Sequence, residues 1–387
     1  MPAFTGTLNS NEIFTALFNM IISQQVFADN IADTKSTLAD MSRVDGTLYG
    51  DTKLYYATDV LRSMEWKNDQ EAQNLLALHR PEAPECQAIT LDKFRMIALT
   101  VDNYLTKRAW STESAFGQFN SQMLGWIRET KKIYDATLFN SFVGTHQAGL
   151  EASGKGAEQN VQITLPAEPD GIDDYNTEAY NRLVAQTIAK SMADLIVALE
   201  DVSRDFNDYG NLRSYNASDF VFVWNADWKN KITKMDTPSL FHRDGLVDKL
   251  GAHTLPPRYF GNVNTLAGTT GGANSTIRSL IEKDYNPEDI TPDKAGYDAS
   301  KHVFPGDLLP ANTPYEANET YTEDPTILCK IYHKNAVPFM TAFETGTEFF
   351  NPRSLTQTHY LIWGYNSLEH LKNYPFITVK ATPAAAG

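Results

Sequence analysis

Cysteine is almost absent from this sequence: Cys86 and Cys329 are the two it has in 387 residues. Neither sits in a CxxC or Cys/His spacing, so a zinc ribbon, a thioredoxin-like redox pair and a disulfide framework are excluded. Free thiols are expected, buried as unpaired cysteines usually are. Positive charge is also scarce, with 33 Lys and Arg against 48 Asp and Glu and a formal net charge of -15. Gripping nucleic acid depends on basic side chains displacing condensed counterions, so that role is opposed, although a wall that faces DNA while repelling it is compatible with the charge. Long apolar runs are missing too. The best one, Ile13 to Ile22, is broken by Thr15 and Asn19 and falls short of the roughly 20 residues a membrane span needs. No basic segment leads into an apolar stretch after Met1, so no secretory signal and no membrane partner are expected, and the chain is placed in the cytosol.

Catalytic patterns are lacking as well. No phosphate-binding glycine motif occurs, and Gly268-Thr269-Thr270-Gly271-Gly272 lacks the Lys and the strand-to-helix setting of a phosphate cradle. The eight histidines give no H-E-x-x-H. His359 and His370 fall at odd spacing in a strand-like region, hence on opposite faces of a regular strand. The acidic pairs Asp173-Asp174 and Glu200-Asp201 sit in a loop and near a helix end, where solvated charges are the default. The sequons at Asn216, Asn274 and Asn318 mark exposed turns. No catalytic, cofactor-binding or metal-binding residue is assigned, and no repeat of solenoid or propeller period is found.

What is present is an ordinary globular composition, 42% hydrophobic and 21% charged, in a chain long enough for two or three lobes. Asn9 and Glu12 stand in capping-box spacing before Ile13, Leu17, Phe18, Ile21 and Ile22, which predicts an amphipathic helix over 9–32. Strands are predicted over Thr47–Thr58 and Ala88–Tyr104, with a polar tip from Glu65 to Glu85 between them. After Ser111 and Thr112, the pattern Phe116, Phe119, Met123, Trp126, Ile127, Ile133, Tyr134, Phe139, Phe142 keeps helical period as far as Gly144. Within it Gly117 and Gly125 are either bend points or places of close packing, and close packing is favoured. A loop over 147–174 leads to a second helix striped by Tyr180, Val184, Ile188, Met192, Leu195, Leu199, Val202 and Phe206. Phe220–Trp224 is a buried strand, and Asn225 caps a short helix after it. Residues 261–326 hold six of the 18 Pro and six of the 22 Gly and are expected to be irregular. Thr326–Tyr332, Val337–Phe343, Thr358–Leu371 and Phe376–Ala381 return as strands.

This order of helix, long hairpin, long helix, α/β lobe, insert and returning strands resembles the major capsid proteins of tailed bacteriophages. The stretch Ile97-Ala98-Leu99-Thr100-Val101-Asp102-Asn103-Tyr104, leading through a polar turn into a long helix, is most similar to shell proteins of short-tailed phages of Gram-positive hosts. The resemblance implies an α+β fold of Hong Kong 97 type. Its parts would be an N-terminal arm (1–45), an extended loop (46–104), a peripheral domain (105–177 and 344–387) with a spine helix over about 113–144, and an axial domain (178–343) carrying the insert 261–326. On that reading Thr326–Ala381 returns into the peripheral sheet. It further implies a non-enzymatic subunit forming pentamers and hexamers of an icosahedral shell around DNA. A separate scaffolding protein, a portal protein at one vertex and assembly in the bacterial cytoplasm complete the expectation.

An isolated two-stranded ribbon is marginal in water, so the 46–104 excursion should gain stability from outside its own lobe. Tyr55, Tyr56 and Trp66 are of the residue types enriched at interface cores and are the candidate inter-subunit contacts. Packing on their own domain is the other reading, and the sequence does not choose between them. No lysine–asparagine pair stands out, so assembly is expected to be non-covalent. Competing functions are an α/β hydrolase with an aromatic groove, or another virion part such as a connector or tail protein.

Overall fold

The structure, a computed structural model, describes residues 37–46, 52–66, 78, 80–102, 113–146, 156–168, 174–234, 252–265, 314–316 and 319–382. The helix expected over 9–32 and most of the insert lie outside these residues. The chain divides into two units: Met1–Asp51, Thr90–Ala136 and Phe339–Ser367 form the first, and Thr52–Ile89, Thr137–Pro338 and Leu368–Gly387 the second.

In the first unit, helix α1 (Thr37–Met41) precedes strand β1 (Arg43–Asp45). The unit's sheet runs β1, β11 (Phe339–Asn351), β12 (Thr356–Asn366), β3 (Glu85–Asp102), with β2 (Thr52–Ala57) as the other neighbour of β3. β1 joins β11 in parallel, whereas β11–β12 and β12–β3 are antiparallel. β2 and the first residues of β3 fall in the second unit. The two strands of the expected excursion are therefore both present, as neighbours. β11 runs well past Phe343, where its apolar pattern stops, because its outer half is paired residue by residue with β12 as far as Asn351↔Thr356.

Helix α2 (Glu113–Thr145) spans the range that its periodicity predicts. Its first-unit part is fastened by polar contacts as well as by its apolar stripe. The Tyr134 hydroxyl lies 2.6 Å from that of Tyr365 and accepts from Arg95 Nε at 3.0 Å. Asp135 is buried and is reached by Lys131 at 3.0 Å and Arg43 at 3.2 Å. Burial raises the pKa of Asp135 in spite of these two cations, so the pair of bonds offsets only part of the desolvation of its carboxylate. Gly125, in contrast, has none of the described residues within 4 Å of where a Cβ would stand, so close packing among them does not explain it.

The second unit is built on a five-stranded sheet, β4 (Glu158–Thr164), β13 (Phe376–Thr382), β10 (Ile327–His333), β5 (Phe220–Asn225), β6 (Ala252–Leu255). Every residue of β5 and β10 is buried. Such strands read as unbroken apolar runs because both faces are covered, which is how Phe220–Trp224 stands out in the sequence. Helix α3 (Asp174–Glu200) packs Val184, Ile188, Met192, Ile196 and Leu199 against Phe222, Trp224, Ile331, Ile377 and Val379. Each such aliphatic contributes about 1.5–3 kcal/mol by leaving water. The short helix α4 (Ala226–Lys234) follows Asn225, whose side-chain oxygen accepts from the Asp227 N–H at 3.2 Å.

Three expectations are corrected here. β13 does not return to the same sheet as β11 and β12; it pairs with β10 and β4 in the second unit. Residues 158–164, expected to be loop, form β4, whose support is parallel pairing with β13 rather than local propensity. The ends of the 261–326 insert are not irregular: β7 (Gly261–Thr265), β8 (Pro314–Glu316) and β9 (Glu319–Glu323) make a small antiparallel sheet. Among the described residues no helix is long and apolar enough to cross a membrane.

Candidate assembly surface

Strand β2 alternates in exposure and ends on buried Ala57, so Tyr55 is half-buried and Tyr56 faces solvent. The chain then runs on from a fixed root. Asp59 accepts from the backbone N–H of Leu212 (2.9 Å) and of Val60 (2.8 Å), and from Arg204 Nη1 (2.8 Å). These hydrogen bonds, the one from Leu212 foremost, lower the Asp59 carboxyl to about 2. Arg213 donates to the Thr58 carbonyl beside it. The returning chain is fixed as well: Gln87 donates to the His370 carbonyl at 3.0 Å and accepts from the Lys372 N–H at 2.9 Å.

Between these two anchors the described residues are all exposed, and large apolar side chains alternate with charged ones, Arg62 and Glu82 pairing at 3.4 Å across the excursion. Trp66 is 84% exposed, Leu61 77% and Met64 65%, and Tyr56, just before the Asp59 anchor, is 63% exposed. Single exposed hydrophobics are ordinary, but a run of them on one segment marks an interaction surface. Of the three residues singled out in the sequence, Trp66 and Tyr56 lie on this surface, and Tyr55 is turned partly inward. Sequence reasoning missed Leu61 and Met64. Their signal was available, since both stand in a segment too polar overall to form a core of its own. A second bare patch, Phe349, Phe350 and Leu355, caps the β11–β12 hairpin of the first unit.

The residues weighed for chemistry do not converge. His359 lies in β12 at 3.8 Å from Glu348, whereas His370 lies beyond the end of that strand and is buried. Glu200 accepts from the Ala217 N–H and Asp201 from the Val202 N–H, both near the end of α3. Cys86 is exposed, against expectation, because it sits near the start of β3, and Cys329 is buried in β10.

One buried polar group was not foreseen. His146 Nε2 lies 2.8 Å from Glu158 Oε1, and His370 Nδ1 lies 3.6 Å from the same oxygen. The donor atoms of the three side chains all fall within 4.8 Å of one another, a set able to hold a metal ion. No local spacing could have revealed this group, because the fold alone brings 146, 158 and 370 together.

A model of the Phi29-like phage major capsid protein family matches residues 5–378. Among solved structures, a chain from the structure of the head fiber and inner core protein of native bacteriophage P68 is 12% identical, with a TM-score of 0.58, over 92% of this chain and 87% of that one. A chain of the capsid of Staphylococcus phage Andhra is 13% identical, with a TM-score of 0.56, over 99% of this chain and 88% of that one. At such identities the likeness is one of fold. No curated protein sequence matches. The family match extends over nearly all of the sequence, both units included, and the chain belongs to the Phi29-like phage major capsid proteins.

Proposed function

We propose that this capsid subunit builds pentamers and hexamers of a closed icosahedral head, and that the surface around Tyr56, Leu61, Met64 and Trp66 bears part of the contact between copies. The observation that carries the proposal is the pairing of a firmly anchored root at Asp59 and Gln87 with exposed apolar side chains at Leu61, Met64 and Trp66 beyond it. A segment fixed at its base that holds such side chains in solvent is suited to lie on a neighbour. Covering Trp66 would remove about 200 Å² from water, on the order of 5 kcal/mol before the costs of association. Many such contacts of modest strength close a stable shell through effective concentration.

The finer organisation follows the same reading. Residues 1–45 serve as an arm, 46–104 as the extended loop and α2 as the spine. The head belongs to a short-tailed phage of a Gram-positive host. The subunit has no catalytic role, assembles non-covalently on a separate scaffolding protein in the host cytoplasm, meets a portal protein at one vertex, and encloses DNA with a wall of net negative charge.

Electron microscopy of the expressed full-length chain, with and without a phage scaffolding protein, tests this. Closed shells from the wild type, and their loss in Leu61→Lys and Trp66→Lys with unchanged subunit melting, are expected. A persistent monomer, or shells unaffected by both substitutions, would overturn the assembly surface. Ladders of multiples on a reducing denaturing gel would overturn non-covalent assembly.

A further inference from the structure

We propose that His146, Glu158 and His370 form a binding site for one divalent transition-metal ion of the zinc class. Each residue marks a different segment of the second unit: His146 follows the last residue of α2, Glu158 opens β4, and His370 lies in the segment entering β13. A shared ion would clip these three segments together.

The donor chemistry supports the assignment. His370 Nε2 lies 2.6 Å from the Tyr374 carbonyl oxygen, which can only accept, so Nε2 carries the proton. In the neutral ring, Nδ1 then turns a lone pair toward the Glu158 carboxylate at 3.6 Å. Two electron-rich atoms facing each other in a buried site call for a positive charge between them, which a proton or a metal ion supplies. His146 Nε2 approaches the same carboxylate oxygen at 2.8 Å but off the hydrogen-bond direction, so this buried nitrogen is left without a directed partner. Two of the three spacings fit as well. Two donors on a tetrahedral zinc with bonds of ~2.0–2.1 Å stand ~3.3 Å apart, between the 2.8 and 3.6 Å from Glu158 to the two rings. The imidazoles, whose donor atoms lie within 4.8 Å of one another, would close on the ion by a small ring movement.

The surroundings hold the ligands in place. The Tyr374 carbonyl fixes the tautomer of His370, as outer-sphere acceptors do for metal-bound histidines. Phe142 stacks on the His146 ring at 4.8 Å and Phe376 meets it edge-on at 4.7 Å. The buried Lys330 donates to the His146 carbonyl at 2.7 Å and to Thr378 Oγ1 at 2.9 Å, so it engages the backbone of the site and not its ligand atoms. Imidazole with carboxylate selects zinc and its neighbours over magnesium, which prefers an all-oxygen shell with several waters.

The test uses the full-length wild-type chain, dialysed against zinc or magnesium, desalted and analysed for bound metal, beside Glu158→Gln and His370→Gln. One zinc per wild-type chain is expected, with affinity lowered in each variant by at least the roughly 100-fold that losing an outer-sphere partner can cost. Zinc at about 100 times its dissociation constant should suppress wild-type unfolding about 100-fold and raise its melting midpoint, and a chelator should reverse this. Cobalt(II) bound to the wild type should show the visible ligand-field bands of a low-coordinate nitrogen and oxygen site, a readout that does not require either variant to fold. Absence of retained zinc, retention of magnesium in its place, or full zinc binding by both folded variants would overturn the site.

Discussion

Gly144 and Gly125 stand in one helix, and the same substitution at each should act in opposite directions. A methyl group on Gly144 would lie 2.1 Å from the Tyr259 carbonyl oxygen and 2.7 Å from its carbonyl carbon. Real contacts do not fall below 3.0 Å, so helix or turn must give by roughly 1 Å. The obstacle is backbone in a 3-10 turn, Pro257–Tyr259, and it cannot swing aside like a side chain. Tyr259 and Phe260 are both buried, so moving the turn disturbs packed rings. Overpacking of this kind costs about 1–3 kcal/mol, and displaced buried aromatics push it toward the upper end; the gain in helix propensity, about 1 kcal/mol at most, offsets part of this. Gly144→Ala should therefore destabilise the subunit by about 2 kcal/mol, whereas Gly125→Ala, which meets none of the described residues within 4 Å, should stabilise it by up to about 1 kcal/mol. Urea unfolding of unassembled subunits followed by tryptophan fluorescence separates the two by the direction of their midpoint shifts at unchanged slope. A Gly144→Ala chain as stable as the wild type would refute the close approach to Tyr259.

Three further outcomes follow from buried or anchored groups. Asp59→Asn should speed proteolysis within residues 60–84 at neutral pH. Because the folded carboxyl sits at about 2 rather than 3.8, the wild type should gain the same sensitivity to pepsin as the pH falls from about 4 toward 2, and equal cleavage of both chains throughout would count against the anchor. His333 stacks on Tyr374 at 4.4 Å and its Nδ1 accepts from the Asn335 N–H, and burial lowers its pKa from 6.5 to about 4. The unfolded chain takes up this proton first, so stability should drop by up to ~3 kcal/mol as pH falls from 6.5 to 4, and His333→Phe should remove about one proton from that dependence; an unaltered slope would show the ring to be solvated. Iodoacetamide should modify only Cys86 in the native subunit and Cys329 as well after unfolding, and two labels on the native chain would contradict the burial of β10.

Much of the fold was legible because its strongest elements announce themselves over short distances. α2 and α3 carry long apolar stripes, and β5 is an unbroken apolar run between a turn and an Asn cap. What the sequence hid is held by partners far along the chain. β4, Glu-Gln-Asn-Val-Gln-Ile-Thr, has a weak alternation and is a strand because β13 pairs with it seven residues deep. The outer half of β11 is polar and aromatic in no clear period and is strand because β12 folds back on it. The helix does end near Gly144, at Thr145, but no sign in the sequence showed that the missing side chain there serves the approach of Tyr259. The candidate surface was half legible: aromatic type pointed to Tyr56 and Trp66, but only the alternation of β2 turns Tyr55 inward.

On the assembly surface proposed above, the anchored excursion also bears on how the free subunit avoids indiscriminate association. Its exposed apolar residues would by themselves favour collapse of copies onto one another at any angle. Two features restrain that. Asp59 and Gln87 fix the direction in which the segment departs, so a productive contact needs a neighbour placed on that line. The net charge of -15 makes copies repel unless their apolar surfaces meet closely enough to outweigh it. Repulsion is long-ranged and unspecific, whereas burial acts only at contact, so the balance rejects loose encounters and retains the well-fitted ones. A protein that must make one closed surface from many identical copies needs that discrimination more than it needs a tight single interface.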